Sequence, residues 1–199
     1  MSFLLGLTGS IGMGKSTTAA MFAEAGIPVW DADAAVHRLY QPGGRGARAV
    51  AGLFPAAMEG DGSVSRPKLR ALLRADPSAL DRLNAAIHPL IAEDRAEFLR
   101  QHLAAPVVVL DIPLLFETGL DASCDAVAVV TAPAEMQRDR VLSRGMSDAD
   151  LALILARQLP DAEKRARADY IIPTTSLEAA RAAVKDVLAD IDRRTRQNA

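Results

Sequence analysis

Gly9-Ser10-Ile11-Gly12-Met13-Gly14-Lys15-Ser16-Thr17 follows the pattern G-x-x-x-x-G-K-[ST]. Ahead of it, Phe3-Leu4-Leu5-Gly6-Leu7-Thr8 is short and mostly apolar, as a buried strand requires. Behind it, Thr17 to Ala25 reads as a helix closed by Gly26, a residue suited to the left-handed position past a helix end. Strand, glycine-rich loop and helix in this order form a phosphate-binding loop. The glycines let the backbone turn sharply and bring its N–H groups around an anion, where the positive end of the helix also points. Lys15 would set its ammonium on the β- and γ-phosphates of a nucleoside triphosphate, and the Ser16 hydroxyl would ligate Mg²⁺. Gly12, Met13, Gly14, Lys15, Ser16 and Thr17 are therefore the candidate nucleotide-binding residues, with a nucleoside triphosphate and Mg²⁺ the expected ligands. A dinucleotide fingerprint fails, because Thr17 stands where its third glycine belongs.

The chain of 199 residues is 50% hydrophobic, enough for a sizeable core in one domain with insertions. A net charge of -2 gives no basic field for nucleic acid or an anionic membrane. The single cysteine, Cys124, has no internal disulfide partner, which fits a reducing cytosol. No apolar run reaches the length of a membrane span, and no export signal is visible ahead of the first strand. A cytoplasmic enzyme with no nucleic-acid or membrane partner, monomeric or weakly homo-oligomeric, is the expectation.

Ile27-Pro28-Val29-Trp30-Asp31 reads as a second strand, ending in Asp31-Ala32-Asp33. Ligands of open α/β sheets bind beyond the carboxyl ends of the strands, so these acids are candidates for the reaction itself. One of them can equally cap a helix starting near Ala34. A phosphoryl acceptor hydroxyl needs a carboxylate to take its proton, and that favours a functional role for the pair. From Ala34 to Leu103 strand signals are lacking. Turns at Gln41-Pro42-Gly43-Gly44-Arg45-Gly46 and Asp61-Gly62 separate helical runs. One run is Lys68 to Ala75; the next starts at Asp76-Pro77 and is interrupted at His88-Pro89, with Pro89 opening a further helix. The block is far longer than a strand crossover needs and reads as a helical substrate-binding insertion. Arg66 within it is a candidate for anion binding, or a solvated surface arginine.

Val107-Val108-Val109-Leu110 is the clearest buried strand, ending at Asp111 near where an acid accompanies Mg²⁺ in triphosphate enzymes. Ile112-Pro113-Leu114-Leu115-Phe116-Glu117 follows as an apolar turn, its leucines and Phe116 suited to the core. Asp125 to Val130 is another strand, and Pro133 opens the next helix, with Gln137, Arg140 and Arg144 at helical spacing. Arginines placed there can close over a transferring phosphoryl group, though a solvated basic face has the same spacing. Ser147 to Ala168 reads as helical and charged, the composition of a mobile lid. Asp169 to Ile172 is a last strand stopped by Pro173, and a final helix buries Ala180, Val184, Val187, Leu188 and Ile191.

With these residues assembled, the chain resembles the dephospho-CoA kinases from about Phe3 to the last helix. The likeness rests on Gly6 to Thr17, Asp31-Ala32-Asp33, Asp61-Gly62 with Arg66, His88-Pro89, Pro113-Leu114-Leu115-Phe116-Glu117, Gln137 with Arg140, Gln158 and Ala168-Asp169. The phosphate loop alone is generic, whereas this set in this order is specific. The resemblance implies an α/β fold: a kinase core with a five-stranded parallel sheet flanked by helices, a helical CoA-binding insertion and a lid. As one domain, the core would take residues 1–33, 104–133 and 168–199, the insertion about 34–103 and the lid about 134–167. It implies ATP-dependent phosphorylation of the ribose 3′-hydroxyl of dephospho-CoA; another small-molecule or nucleoside-monophosphate kinase on the same core is the alternative. Asp33 would be the base, Lys15 would hold phosphates and Arg140 would act from the lid. Arg66, His88, Leu114 and Glu117 would lie on the substrate side. The family usually carries an Asn shortly after the last strand, where this chain reads Ile172-Pro173-Thr174-Thr175. Lys15→Ala or Asp33→Asn is expected to cost turnover and leave the fold intact. A GTP-driven switch is disfavoured, because neither Asn-Lys-x-Asp nor Asp-x-x-Gly occurs.

Overall fold

A computed structural model describes residues 2–76 and 78–197. The chain divides into two compact units: one combines the stretch up to Trp30 with that from His102 onward, and the other is Asp31–Gln101.

The first unit carries the sheet. Its strands are β1 (Phe3–Thr8), β2 (Val29–Asp31), β3 (Val107–Asp111), β4 (Ala126–Thr131) and β5 (Tyr170–Pro173), in the order β2-β3-β1-β4-β5. β1 lies at the centre, parallel to both neighbours, with Leu5 opposite Val109 on one side and Ala126 on the other. Near-continuous apolar strands are what a sheet covered on both faces demands, and all of Val107–Asp111 is buried. Two aspartates extend the ladders at strand beginnings: Asp125 Oδ2 accepts from Leu4 N–H at 2.7 Å and Asp169 Oδ2 from Val127 N–H at 2.8 Å. Helices α1 (Lys15–Glu24) and α9 (Leu177–Gln197) share a core with the sheet, through Phe22 from one and Val184 and Ile191 from the other.

Several boundaries differ from the sequence reading for identifiable reasons. Helix α1 starts at Lys15, not Thr17, because Gly14 takes a left-handed φ of 88° and already serves as the N-cap. Strand β2 is shorter than expected, since Ile27 N–H is still bonded to the Phe22 carbonyl of α1. Pro173 belongs to β5, opposite Thr131; an edge strand tolerates a residue without N–H. The charged run after β4 is not one helix. It forms α7 (Asp148–Leu155) and α8 (Asp161–Arg167), following α6 (Ala134–Leu142), with Pro160 at the α8 N-cap ending any continuation. Leu114 is 39% exposed while Leu115 and Phe116 are buried, so only two of the three apolar residues of that turn join the core.

The second unit is helical, with α2 (Ala32–Leu39), α3 (Arg45–Leu53), α4 (Arg66–Ala75) and α5 (Ala79–Gln101). Their apolar faces meet around Leu39, Val50, Phe54, Leu69, Leu83 and Ile87. The expected break at His88-Pro89 is absent: α5 runs on with Pro89 inside it. Proline there removes one backbone bond. Leu83 and Ile87 before it and Leu90 and Ile91 after it enter the same core, which holds both halves in one helix. The expected start at Pro77 lies outside the described residues. Asp61-Gly62 does turn the chain, with Gly62 at φ 84° and the Asp61 carboxylate accepting from both Ser63 N–H and Oγ–H.

Candidate active site

The loop between β1 and α1 is built around close approaches that only glycine permits. A Cβ on Gly9 would sit 2.3 Å from Val130 Cγ2, and one on Gly12 2.8 Å from Val141 Cγ2. Gly12 and Gly14 both have positive φ, the conformation that lets successive amides converge on one anion. Lys15 Nζ lies 2.5 Å from Asp111 Oδ1, at the carboxyl end of the adjacent strand β3. Asp111 is buried to 2% exposure, so Lys15 neutralises a carboxylate the core contains and has a structural part besides any catalytic one. Ser16 and Thr17 are exposed in the first turn of α1.

Side chains from outside the loop hold its carbonyl groups. Gln137 Nε2 on α6 donates to the Ile11 carbonyl at 2.7 Å, and Gln158, between α7 and α8, accepts from Ile11 N–H at 3.2 Å. Met13 is fixed at both ends: its sulfur receives Ala132 N–H at 3.2 Å and its carbonyl the Thr174 hydroxyl at 2.8 Å. The Arg140 guanidinium donates to the Thr174 carbonyl at 2.5 Å, to Thr174 Oγ1 at 3.1 Å and, at a long 3.5 Å, to the Gly12 carbonyl. Gln137 and Arg140 thus meet the same loop. Arg144 lies past the end of α6 and is exposed. Beside Met13 a recess of about 470 Å³ is lined by Thr131, Pro133, Gln137, Arg165 and Thr175, within the size range of small-molecule sites.

Glu117 faces a group that nothing in the sequence marks. Its Oε1 accepts from Leu159 N–H at 2.9 Å and lies 2.8 Å from Nζ of Lys164 on α8, a side chain with no exposed surface. Lys164 sits in a run of charged residues, Asp161-Ala162-Glu163-Lys164-Arg165, that reads as a solvated face; only packing shows it is inside. Glu117 Oε2 has no hydrogen-bond partner among the described residues. Burial opposes the charge on Glu117, but the Lys164 ammonium and Leu159 N–H outweigh it and hold the carboxyl below its usual range. A depressed value means the stabilisation is present above the ordinary glutamate range and lost on acidification through the folded value. Lys164→Met takes the countercharge from a largely buried carboxylate that keeps its Leu159 N–H, an expected loss of about 3 kcal/mol. That corresponds to a thermal midpoint lowered by roughly 6–12 °C. Adding Glu117→Gln, which keeps an acceptor for Leu159 N–H, should recover at least half of it by circular dichroism melting. An unchanged midpoint for Lys164→Met alone refutes the pairing.

In the helical unit the two acids of Asp31-Ala32-Asp33 take different parts. Asp31 Oδ1 accepts from Ala34 N–H at 2.9 Å and caps α2, while Asp33 is exposed in the first turn. Arg66 is exposed at the start of α4, where its charge partly offsets the upward push of burial on the Tyr40 phenol. His88 is exposed on α5.

The donors near the loop suit Mg²⁺. Ser16 and Asp111 supply hard oxygen, and this ion keeps much of its water and binds through one or two protein groups plus phosphate oxygens. No cluster of three or more His, Cys, Asp or Glu able to hold a metal occurs among the described residues, so an all-protein cage is absent there. Among them, no helix is long and apolar enough to cross a membrane.

Comparison with known proteins supports the resemblance seen in the motifs. Residues 3–178 match the family described as dephospho-CoA kinase. A dephospho-CoA kinase of Cereibacter sphaeroides is 61% identical over 95% of this chain and 95% of its own length. A crystal structure from Thermus thermophilus superposes with a TM-score of 0.83 at 38% identity, covering 95% of this chain and 97% of the other. A dephospho-CoA kinase from Campylobacter jejuni shares the fold, with a TM-score of 0.67 at 22% identity over 96% of this chain and 97% of that one. Motifs, sheet order and full-length similarity agree, and the chain belongs to the dephospho-CoA kinase family.

Proposed function

We propose that this chain transfers the γ-phosphoryl group of ATP to the ribose 3′-hydroxyl of dephospho-CoA, giving CoA and ADP in the last step of coenzyme A biosynthesis. The observation that carries the reading is the coincidence of full-length family membership with an intact phosphate loop whose lysine sits against Asp111. Phosphoryl transfer asks the protein for positioning and for compensation of negative charge, with little covalent chemistry of its own. Loop amides of Gly12 to Thr17 and the Lys15 ammonium would hold the β- and γ-phosphates, with Ser16 and the neighbouring Asp111 holding Mg²⁺. When bound, that ion supplies charge neutralisation on the polyphosphate. Asp33, whose carboxylate the helix cap leaves unused, would accept the proton of the 3′-hydroxyl. Arg140 would offset charge on the transferring group. Arg66, His88, Leu114 and Glu117 are assigned to the acceptor side. The insertion would bind CoA and the segment after β4 would serve as the lid.

ADP release measured with ATP and Mg²⁺, with dephospho-CoA, AMP or adenosine as acceptor, tests this directly. Stimulation by dephospho-CoA alone is expected. Preference for AMP would move the chain to the nucleoside-monophosphate kinases, and no acceptor-dependent turnover would remove the kinase assignment. The same reading makes the enzyme cytoplasmic and a monomer or weak homo-oligomer, without nucleic-acid or membrane partners.

A further inference from the structure

For the amides of a phosphate loop to face an anion, the carbonyl groups of the same peptides must face away from it. A carbonyl turned into protein needs a donor there, and the donor then fixes the peptide plane. In this chain Ile11 and Met13 find theirs in Gln137 and Thr174, and the Gly12 carbonyl has the more distant Arg140.

Thr174 is the residue in which these contacts converge. It follows β5 directly and is 6% exposed. Its N–H donates to the Thr131 carbonyl at 2.8 Å, which ties it to the end of β4. Its carbonyl and its Oγ1 both accept from Arg140, and its Oγ–H points to the Met13 carbonyl at 2.8 Å, with the Thr131 carbonyl at 3.3 Å. The side chain also fills the space against Gly14, where an added Cβ would come within 3.1 Å of it. One hydroxyl thus joins a loop carbonyl to the guanidinium assigned to the transferring phosphoryl group.

We propose that Thr174 is a positioning residue for phosphoryl transfer: its hydroxyl sets the Met13 peptide, and so the loop amides, in register with Arg140. The inference rests on the kinase reading for its consequence in turnover, but its first readout, nucleotide affinity, does not depend on which acceptor is used. Valine at this position keeps the branched shape and removes both hydroxyl contacts, leaving the Met13 carbonyl and an Arg140 N–H without their partner. Serine keeps both contacts and loses only a methyl group.

The test is equilibrium titration of the purified full chain with ATP and Mg²⁺, together with kcat and KM measured with dephospho-CoA. Thr174→Val is expected to weaken ATP binding roughly tenfold and lower kcat, the scale of an unsatisfied buried partner. Thr174→Ser is expected to stay within about twofold of wild type on the same reasoning. Because the effect runs through Arg140, combining Thr174→Val with Arg140→Gln should be clearly less than multiplicative in kcat. Should the valine variant not fold, Thr174→Ala takes its place in the comparison with serine. Wild-type affinity and kcat in Thr174→Val, with only a lowered melting temperature, would make the residue structural and overturn the proposal. Fully multiplicative effects in the double variant would overturn it as well. Failure of the wild type to phosphorylate dephospho-CoA would overturn the kinase reading instead, and the ATP titration would still decide the role of Thr174.

Discussion

Lys15→Ala is expected to lower kcat/KM for ATP by about a thousandfold and to destabilise the fold at the same time. The first effect is the loss of a preorganised cation from a site where charge shifts during transfer; single donors of this kind are worth 10²–10³ in rate. The second follows from Asp111, whose buried carboxylate lies 2.5 Å from the ammonium. Removing one member of a buried pair costs about 3 kcal/mol, because the remaining charge is poorly solvated. The sequence alone suggested an intact fold for this variant; the position of Asp111 changes that expectation. Adding Asp111→Asn to Lys15→Ala should restore much of the lost stability and none of the activity. Steady-state kinetics and thermal melting of both variants check this. Turnover of Lys15→Ala within tenfold of wild type would remove Lys15 from the mechanism.

Asp33→Asn is expected to reduce kcat by roughly 10²–10⁴, the range for a general base, with KM for ATP little changed. The amide cannot take a proton but has nearly the same shape, and an exposed side chain at this place on α2 gives it little structural work. The neighbouring acid provides the contrast. Asp31 caps α2 through Ala34 N–H, so Asp31→Ala should cost about 1 kcal/mol of stability and much less of kcat. Measuring kcat and melting temperature for both variants separates base from cap. If Asp31→Ala loses more turnover than Asp33→Asn, the two assignments are reversed.

Much of the core was legible because its signals are local. The glycines and Lys15, an apolar strand before them and a helix after them are contiguous, and each choice follows from backbone freedom or burial within a few residues. The strands from Val107 and Asp125, the helices before and after Asp61-Gly62, and the final helix were readable for the same reason. Pro89 was misread for the opposite one. Local chemistry says that a proline ends a helix, and the decision came from Leu83, Ile87, Leu90 and Ile91 sharing a core. The charged run is divided where α7 ends at Leu155 and Pro160 caps the start of α8.

Within the candidate site, residue identity by itself marked the phosphate loop, Asp31-Ala32-Asp33 and Arg140 as positions where chemistry could occur. Only the structure showed which of the two acids caps α2, since a cap is a matter of which oxygen reaches an N–H. Only tertiary structure paired Lys15 with Asp111, 96 residues apart, or Glu117 with Lys164 inside a helix that reads as solvated. Thr174, a departure from the usual residue in sequence, became a junction between loop and guanidinium once β5 was placed beside β4. Periodicity and turn chemistry act over a few residues and are written into the chain. The partners of buried charges and carbonyls are set by the crossing of distant segments, where an unpaired group is costly wherever its neighbours lie in sequence.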